Sequence, residues 1–338
     1  MSLPRLILAS ELQSIGLNSR ELAVRHNKGE LIRVRRGIYV ESAPWQTLSV
    51  AQKYGLRAAA FGHLTGKEPV FSHQSAALLW GLWIVGTPSR LHVLTESTVG
   101  GRSRKDVARH VGSLSQGVLR CGQLLVSDKL TTTIALIKEL SFPYAVAVCD
   151  SNMRTPNPRP TDNQFLPLSA DPHRLGDATW EHELPQGPPL LVSELRAAAM
   201  ELPSAAMRAR AQAVIEFSTA GSGSAGESIS RAKMHLLGFP SPELQRRFVL
   251  RDGSNAFVDF WFEEYKLAGE FDGRGKYLRA GWGGGKSIQD RVLDEKARED
   301  QIRAQGVRFV RWTWDEMQNR EGFAYLLRQA GLPQRKRE

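Results

Sequence analysis

The most regular alternation of apolar and polar residues lies between positions 257 and 272, where the chain reads FVDFWFEEYKLAGEFD. A turn at Glu263–Lys266 predicts a β-hairpin in which Phe262 pairs with Leu267, and Asp259 with Glu270. Because side chains alternate between the faces of a strand, one face is predicted to carry an apolar set: Val258, Phe260, Phe262, Leu267 and Phe271. The other face carries the acids and their neighbours: Asp259, Glu270 and Asp272, with Phe257, Trp261 and Ala268.

Three carboxylates on one face of a hairpin are electrostatically unfavourable, since like charges directly opposite each other destabilise a sheet. A cation among them removes this cost, and Mg²⁺ takes oxygen ligands of this kind. The hairpin therefore predicts a divalent-metal site, which suits metal-dependent cleavage of phosphodiesters.

Further elements are predicted on both sides of the hairpin. A short amphipathic helix begins near Glu227 and is closed by Gly238 and Pro240. The remaining pattern predicts a strand at 245–250, a charged helix at 289–305, a strand at 307–314 and a helix at 315–330.

The first 45 residues predict a separate small unit. Two short helices, ending near Ile15 and Asn27, are followed by the run Leu31–Val40, in which apolar residues alternate with arginines. Helices followed by a basic β-ribbon resemble a winged helix-turn-helix, whose helix enters a major groove while the ribbon contacts phosphate. The predicted DNA-binding side chains are Arg20, Arg25, Arg33, Arg35 and Arg36. The alternative is a helical subdomain that packs on its neighbour or binds protein.

Composition adds a preference for a polyanionic partner. The 338 residues include 41% hydrophobic and 24% charged side chains, which indicates a globular chain of two or three domains. Lys and Arg number 45 against 35 acids, and residues 1–60 alone hold nine basic and four acidic side chains. The resulting charge of +10 favours nucleic acid, although a soluble basic surface is the simpler alternative.

Four regions follow from these patterns. We predict a winged-helix region at 1–60, a middle α+β domain at 61–154, a Pro-rich linker with bridging helices at 155–220, and the hairpin-containing domain at 221–338. Eight of the seventeen prolines lie between residues 155 and 189, which is typical of a linker or an extended segment. The middle domain contains three histidines without metal-ligand spacing, which we interpret as structural or surface residues: His73, His92 and His110. We interpret the loop Gly100–Lys105 as solvated.

Several classes of protein are disfavoured. Cys121 and Cys149 are too few for a disulfide framework or a four-thiolate zinc site. No apolar run approaches the roughly 20 residues that a membrane span needs, and the N-terminus lacks a signal-peptide pattern. We therefore expect a cytoplasmic protein without a membrane partner.

The order of motifs at 225–330 resembles the PD-(D/E)XK nuclease superfamily, in the branch of the very short patch repair endonucleases. The matching positions are Glu227, Gln245, Asp259, EFDG at 270–273, Lys276, DEKARED at 294–300 and VRFVRW at 307–312. Residues 1–154 resemble AbiEi-type antitoxins through ELIRVRRGIYV and KLTTTIALIKEL…AVAVCDSNMR. The first resemblance implies a restriction-endonuclease-like mixed sheet flanked by helices, so that the chain is α/β in its parts and α+β overall.

The nuclease resemblance also implies roles for individual residues. Asp259 and Glu270 would hold Mg²⁺ or Mn²⁺, with Glu227 and Asp272 in or next to the metal shell. Gln245 would position the backbone or a metal-bound water, or simply pair in the sheet.

The chain departs from the common motif at one place. A lysine usually follows the second acid, but Asp272 occupies that position here. Lys276, or Lys296 from the charged helix, would then supply the cation. A fold that keeps its acids in this way can remain active, or it can survive as a binding module.

These expectations combine into a metal-dependent DNA endonuclease whose winged helix grips DNA. The alternative is an AbiEi-type antitoxin that represses transcription and retains a non-catalytic nuclease-like domain, with a toxin or another bacterial defence component as its partner. A nuclease that cuts both strands needs two sites, so homodimerisation and sequential nicking both stay open.

Overall fold

The computed structural model describes residues 3–14, 19–96, 106–154, 165–170, 186–273 and 288–335. Within these ranges the chain has thirteen α-helices and three β-sheets, which confirms the predicted α+β class. One compact unit comprises Met1–Glu139 and Ser151–Ile215, and the other comprises Leu140–Asp150 and Glu216–Glu338. Across the described ranges, no helix combines the length and the apolar character needed to cross a bilayer.

The N-terminal part of the first unit contains the predicted short helices and β-ribbon. Its elements are β1 (Ile7–Leu8), α1 (Ala9–Ser14), α2 (Ser19–Asn27), β2 (Leu31–Arg35), β3 (Ile38–Glu41), α3 (Ser42–Thr47) and α4 (Val50–Gly62). The strands form an antiparallel sheet in the order β1-β3-β2. The sequence pattern did not predict α4, which starts with a reciprocal cap: Ser49 and Gln52 each accept the other's backbone N–H.

The rest of the first unit surrounds a six-stranded sheet in the order β6-β5-β4-β8-β7-β9. Its elements are β4 (Val70–Phe71), α5 (His73–Trp80), β5 (Leu91–Thr95), β6 (Val107–Val111), β7 (Val118–Cys121), β8 (Leu124–Ser127), α6 (Lys129–Glu139), β9 (Phe165–Pro167), α8 (Val192–Met200) and α9 (Ala205–Phe217). The helix that follows α6 in the chain, α7 (Phe142–Met153), belongs mostly to the second unit. The apolar run from Phe71 to Val85 is typical of one long helix, but α5 is shorter than this run. Phe71 belongs to a strand, and Gly81, at a left-handed φ of 67°, ends the helix.

The second unit contains a four-stranded mixed sheet in the order β10-β11-β12-β13. Its elements are α10 (Ala225–Leu237), β10 (Glu243–Val249), β11 (Asn255–Phe262), β12 (Leu267–Asp272), α11 (Ile288–Arg303), β13 (Arg308–Thr313), α12 (Trp314–Gln318) and α13 (Arg320–Gln329). β12 and β13 are parallel, and the other neighbours are antiparallel. The predicted terminal helix is two helices, because Asn319 has extended ψ and caps α13.

The predicted hairpin register is confirmed near the turn, but the predicted division of its faces is wrong at one position. Phe262 pairs with Leu267, and Phe260 with Gly269. The predicted pair of Asp259 with Glu270 is not among the described pairs of β11 and β12. Val258, however, packs with Trp261, Ala268 and Ile302 rather than with Phe260. The alternation is interrupted at residue 259. Asp259 of β11 lies opposite Gln245 of β10, but neither residue is paired in the ladder between these two strands. Gln245 has a φ of 52°, which is uncommon for a residue other than glycine.

The face of the sheet opposite α11 packs against α10 and α13. Trp312 donates a hydrogen bond from Nε1 to Ser230 Oγ at 2.8 Å, and its ring lies 5.4 Å from that of Phe323. The ring of Phe271 lies against Gly226 so closely that a Cβ at 226 would be 1.9 Å from Phe271 Cε1. This contact fixes the start of α10 beside β12, which carries two of the predicted acids.

Candidate functional site

Three of the predicted site residues meet at the start of α10. The Gln245 side chain donates from Nε2 to Glu227 Oε2 at 2.9 Å and to Asp259 Oδ1 at 3.4 Å. Glu227 is 5% exposed. One helix and two strands therefore bring two carboxylates to the same amide group.

Local structure accounts for the position of Glu227. Ser224 caps α10, and its hydroxyl donates to Glu227 Oε1 at 2.9 Å, while the N–H of Gly223 donates to Oε2 at 2.6 Å. A carboxylate in the first turn is also favoured by the helix dipole. Glu227 therefore has a capping role that is independent of any ligand.

The position of Asp259 depends on the interrupted ladder. Its Oδ2 accepts the backbone N–H of Phe271 at 2.9 Å, so the side chain replaces a strand partner at this point. The same bond ties Asp259 to the residue between Glu270 and Asp272. Asp259 is thus fixed with respect to β12 by its carboxylate as well as by the hairpin.

A buried ion pair holds α10 in place behind these acids. Asp150 is fully buried, and its Oδ2 lies 3.0 Å from Arg231 Nη2. The same carboxylate accepts hydrogen bonds from the hydroxyls of Ser228 and Ser222 at 2.7 and 3.2 Å. Because Ser228 directly follows Glu227, this network stabilises the helix turn that carries the acid.

Glu270 has a different environment from Asp259. Its Oε1 lies 2.6 Å from Arg298 Nη2, and its Oε2 lies 2.7 Å from Arg311 Nη2. Arg298 also donates to the carbonyl oxygen of Phe257 at 2.9 Å. Glu270 is 6% exposed, so these pairs offset the cost of burying its charge. A metal ion at Glu270 would compete with these arginines for the carboxylate oxygens.

The charges in this cluster reinforce one another. Burial raises the pKa of the Glu270 carboxyl, and the charges of Arg298 and Arg311 oppose that shift. Burial alone would lower the pKa of Arg298, but its hydrogen bonds and ion pairs with Glu295 and Glu270 raise it above the ordinary value. Burial would likewise raise the pKa of Glu295, yet hydrogen bonds from the two arginines lower it to about 2. Both arginines therefore stay charged at neutral pH.

Arg311 also reaches the acid that stands in place of the usual lysine. Its Nη1 lies 3.4 Å from Asp272 Oδ1, and its Nη2 lies 2.8 Å from Glu299 Oε2. Asp272 is therefore next to a cation, but the cation comes from the adjacent strand β13. Both arginines fall within the motifs DEKARED and VRFVRW, yet the sequence pattern gave neither a role.

The two lysines predicted to supply the cation are not part of this cluster as described. Lys276 lies outside the described residues. Lys296 lies on α11 with an exposed side chain. The positive charge beside the described acids comes from Arg298 and Arg311.

The donor set near Gln245 fits a hard divalent cation better than the donor set around Glu270 does. Glu227 and Asp259 offer oxygen ligands, and Mg²⁺ is commonly bound by one or two carboxylates with waters in the remaining positions. The Gln245 amide nitrogen now donates to both carboxylates; turning the amide would present its oxygen instead. Glu270, in contrast, is already neutralised by arginines.

The arginines predicted to bind DNA fall into two groups. Three have exposed side chains on α2, on β2 or in the turn after β2: Arg20, Arg33 and Arg36. Arg25 is paired with Glu30 at 3.1 Å. The exposed group is accessible to a phosphate backbone without breaking an ion pair with a described residue.

Arg35 differs from its neighbours on the ribbon. Its Nη1 lies 2.8 Å from Asp106 Oδ2, and its guanidinium lies 4.9 Å from the centre of the Phe61 ring. Burial lowers the pKa of Arg35, and the charge of Asp106 opposes that shift. The side chain thus joins the ribbon to the rest of the first unit rather than extending into solvent.

The structure also brings together three histidines that the sequence pattern treated as unrelated. Two of them, His73 and His110, form a group with Glu139 in which the ligand atoms lie within 4.8 Å of one another. Among the described residues, this is the group of His, Cys, Asp or Glu side chains close enough to hold one metal ion. Their separation along the chain left no local spacing signal. The predicted carboxylates of the second unit do not form such a group in the described arrangement.

The chain matches none of the protein-family models against which it was scanned, and a search of curated proteins finds no match. The resemblances to PD-(D/E)XK nucleases and to AbiEi-type antitoxins therefore stay predictions.

Proposed function

We propose that the second unit is a metal-dependent endonuclease domain that hydrolyses phosphodiester bonds in DNA. The observation that carries this proposal is the convergence of Glu227, Gln245 and Asp259 at the start of α10, beside an arginine-rich acid cluster. The mixed sheet with a helix between its two parallel strands agrees with the PD-(D/E)XK resemblance.

Asp259 and Glu227 would hold the Mg²⁺ or Mn²⁺ ion, and Gln245 would orient a ligand or a water beside them. When bound, such an ion polarises the scissile phosphate and helps to generate a hydroxide nucleophile. Glu270 would not bind the ion itself but would position Arg298 and Arg311 through its ion pairs with them. Arg311 would provide the charge next to Asp272 that a lysine provides in the common motif.

The test is nicking of supercoiled plasmid by the full-length protein with Mg²⁺, with Mn²⁺, and with a chelator. We expect metal-dependent nicking by the wild type. Asp259→Asn and Glu227→Gln should lower the rate by about 100-fold or more, because each removes a negatively charged ligand.

Glu264→Gln is the matched control. Glu264 is an exposed acid in the turn of the same hairpin, so this variant changes the charge equally without touching the proposed ligands. It should cleave at the wild-type rate. Equal cleavage by Asp259→Asn and the wild type, or no cleavage by any of the folded proteins, contradicts the proposal.

A second candidate function is DNA binding by the N-terminal ribbon, as in a transcriptional repressor of the antitoxin type. It is favoured by the exposure of Arg33 and Arg36 on and after β2, and of Arg20 on α2. This function and cleavage can coexist in one chain, with the ribbon gripping the duplex that the second unit cuts.

Two ribbon variants separate DNA contact from folding. The double variant Arg33→Ala/Arg36→Ala should weaken DNA binding and make it less salt-dependent, since each phosphate contact contributes to the salt slope. Arg35→Ala should instead lower stability, because it leaves Asp106 without this ion pair. Unchanged binding by the double variant in an electrophoretic mobility-shift titration excludes the ribbon as the DNA contact.

A further inference from the structure

A compact group of imidazoles lies in the first unit, at the junction of two helices and two strands. His73 begins α5, His92 lies on β5, His110 lies on β6, and Glu139 ends α6. Glu139 Oε1 is 3.4 Å from His73 Nε2 and 3.1 Å from His110 Nδ1. These contacts join four elements that are well separated in sequence.

We propose that His73, His110 and Glu139 form a binding site for one Zn²⁺ ion. In a tetrahedral zinc site with bonds of about 2.0–2.1 Å, neighbouring ligand atoms are roughly 3.3 Å apart. The two nitrogen–oxygen distances at Glu139, 3.4 and 3.1 Å, match this edge length. Two imidazoles and one carboxylate are also a set of protein ligands found at zinc sites that keep one position for water.

The nitrogens on the other side of both rings have partners. His73 Nδ1 lies 3.0 Å from Ser72 Oγ, and His110 Nε2 lies 3.0 Å from His92 Nδ1. Metal-binding histidines usually have such a hydrogen bond at the second nitrogen, which fixes the tautomer. His92 would therefore set the tautomer of a ligand without binding the ion itself.

The backbone geometry at His73 agrees with this assignment. His73 has a φ of 49°, a conformation that is sparsely populated outside glycine and tends to occur at functional sites.

The rings must move apart to bind the ion. His73 and His110 are stacked, with centroids 3.6 Å apart and planes inclined by 19°. An imidazole binds a metal in its own plane, so two nearly parallel rings cannot both point at one ion. Binding therefore requires one ring to rotate out of the stack, and it should be accompanied by a change in the imidazole NMR resonances.

The ligand chemistry distinguishes this site from the acidic site of the second unit. Imidazole nitrogens suit Zn²⁺ and other first-row transition ions, whereas Mg²⁺ prefers oxygen ligands. The Glu139 side chain is 41% exposed, so an ion can approach from solvent on that side. The site should bind Zn²⁺ or Co²⁺ and should not bind Mg²⁺.

The experiment is a calorimetric titration of chelator-treated, full-length protein with Zn²⁺, repeated with Mg²⁺. It is run in the Asp259→Asn background so that the acidic site does not contribute. We expect saturable binding of one Zn²⁺ per chain, and a visible absorption band typical of tetrahedral coordination when Co²⁺ is used.

Two ligand variants and one control decide the assignment. His110→Gln and Glu139→Gln should each weaken Zn²⁺ binding by at least about tenfold; Glu139→Gln changes an exposed helix end and so leaves folding intact. His63→Gln, which removes an exposed histidine from the same unit, should bind as the parent does. Absence of saturable binding, or equal affinity in Glu139→Gln and the parent, overturns the proposal.

Discussion

The contact between Gly226 and Phe271 gives a sharp prediction, because it joins α10 to the strand that carries the acids. A Cβ at position 226 would lie 1.9 Å from Phe271 Cε1 and 2.4 Å from Cδ1. Such distances are far inside van der Waals contact, so Gly226→Ala must displace the ring or the helix. The ring has little room, since it is 4% exposed and packs edge-on against Trp314 at 5.1 Å.

The expected change in the free energy of unfolding follows from two opposing effects of Gly226→Ala. Overpacking in a core costs about 1–3 kcal/mol, and the severity of this overlap favours the upper end. Alanine is better than glycine inside a helix by up to about 1 kcal/mol. We therefore expect Gly226→Ala to lower the free energy of unfolding of the second unit by about 1–2 kcal/mol.

Urea denaturation of three variants measures this effect. Gly226→Ala should cost less in a Phe271→Leu background, because the smaller side chain vacates the overlap; the two changes are in contact and should not be additive. Gly62→Ala, where a new Cβ meets nothing within 4 Å, should instead be neutral or stabilising. Equal stability of Gly226→Ala and the wild type, or the same loss in both backgrounds, refutes the packing argument.

Three further predictions concern ionisable groups. Burial lowers the pKa of His73 to about 3 and that of His92 to about 4. Because these histidines take up protons at a higher pH in the unfolded chain than in the folded one, the stability of the first unit should be full above about pH 6.5 and should fall as the pH drops towards 4. Denaturation at stepped pH should show a loss of up to about 1.4 kcal/mol per pH unit for His73. Asp150→Asn leaves the buried Arg231 charge without its partner and should cost about 3–5 kcal/mol in urea denaturation; a loss below about 1 kcal/mol would show that the pair is not important for folding. Arg35→Ala should lower the melting temperature of the first unit more than Arg33→Ala does, and the reverse order in thermal scans would contradict the inward position of Arg35.

The hairpin register near its turn was predictable because it depends on local alternation and on turn length. The position of Asp259 was not, since strict alternation assumes an uninterrupted ladder. The positive φ of Gln245 and the missing pair between these two residues turn the carboxylate towards Phe271 N–H and Gln245. A period of two in the sequence contains no sign of such an irregularity.

Contacts between distant segments were the other source of error. The pattern identified 289–305 as a charged helix, but it could not show that Arg298 on that helix binds Glu270. Arg35 looked equivalent to Arg33 on an alternating ribbon, yet its partner Asp106 lies far along the chain. The histidines gave no local spacing signal because each comes from a different element.

The central claim is that Asp259 holds the metal ion that cleaves DNA. Its most direct test is the Mn²⁺-dependent nicking rate of Asp259→Asn relative to that of Glu264→Gln, with both proteins shown to be folded. We predict that Glu264→Gln nicks supercoiled plasmid at the wild-type rate, while Asp259→Asn is slower by about 100-fold or more. Equal rates for the two variants would contradict the assignment.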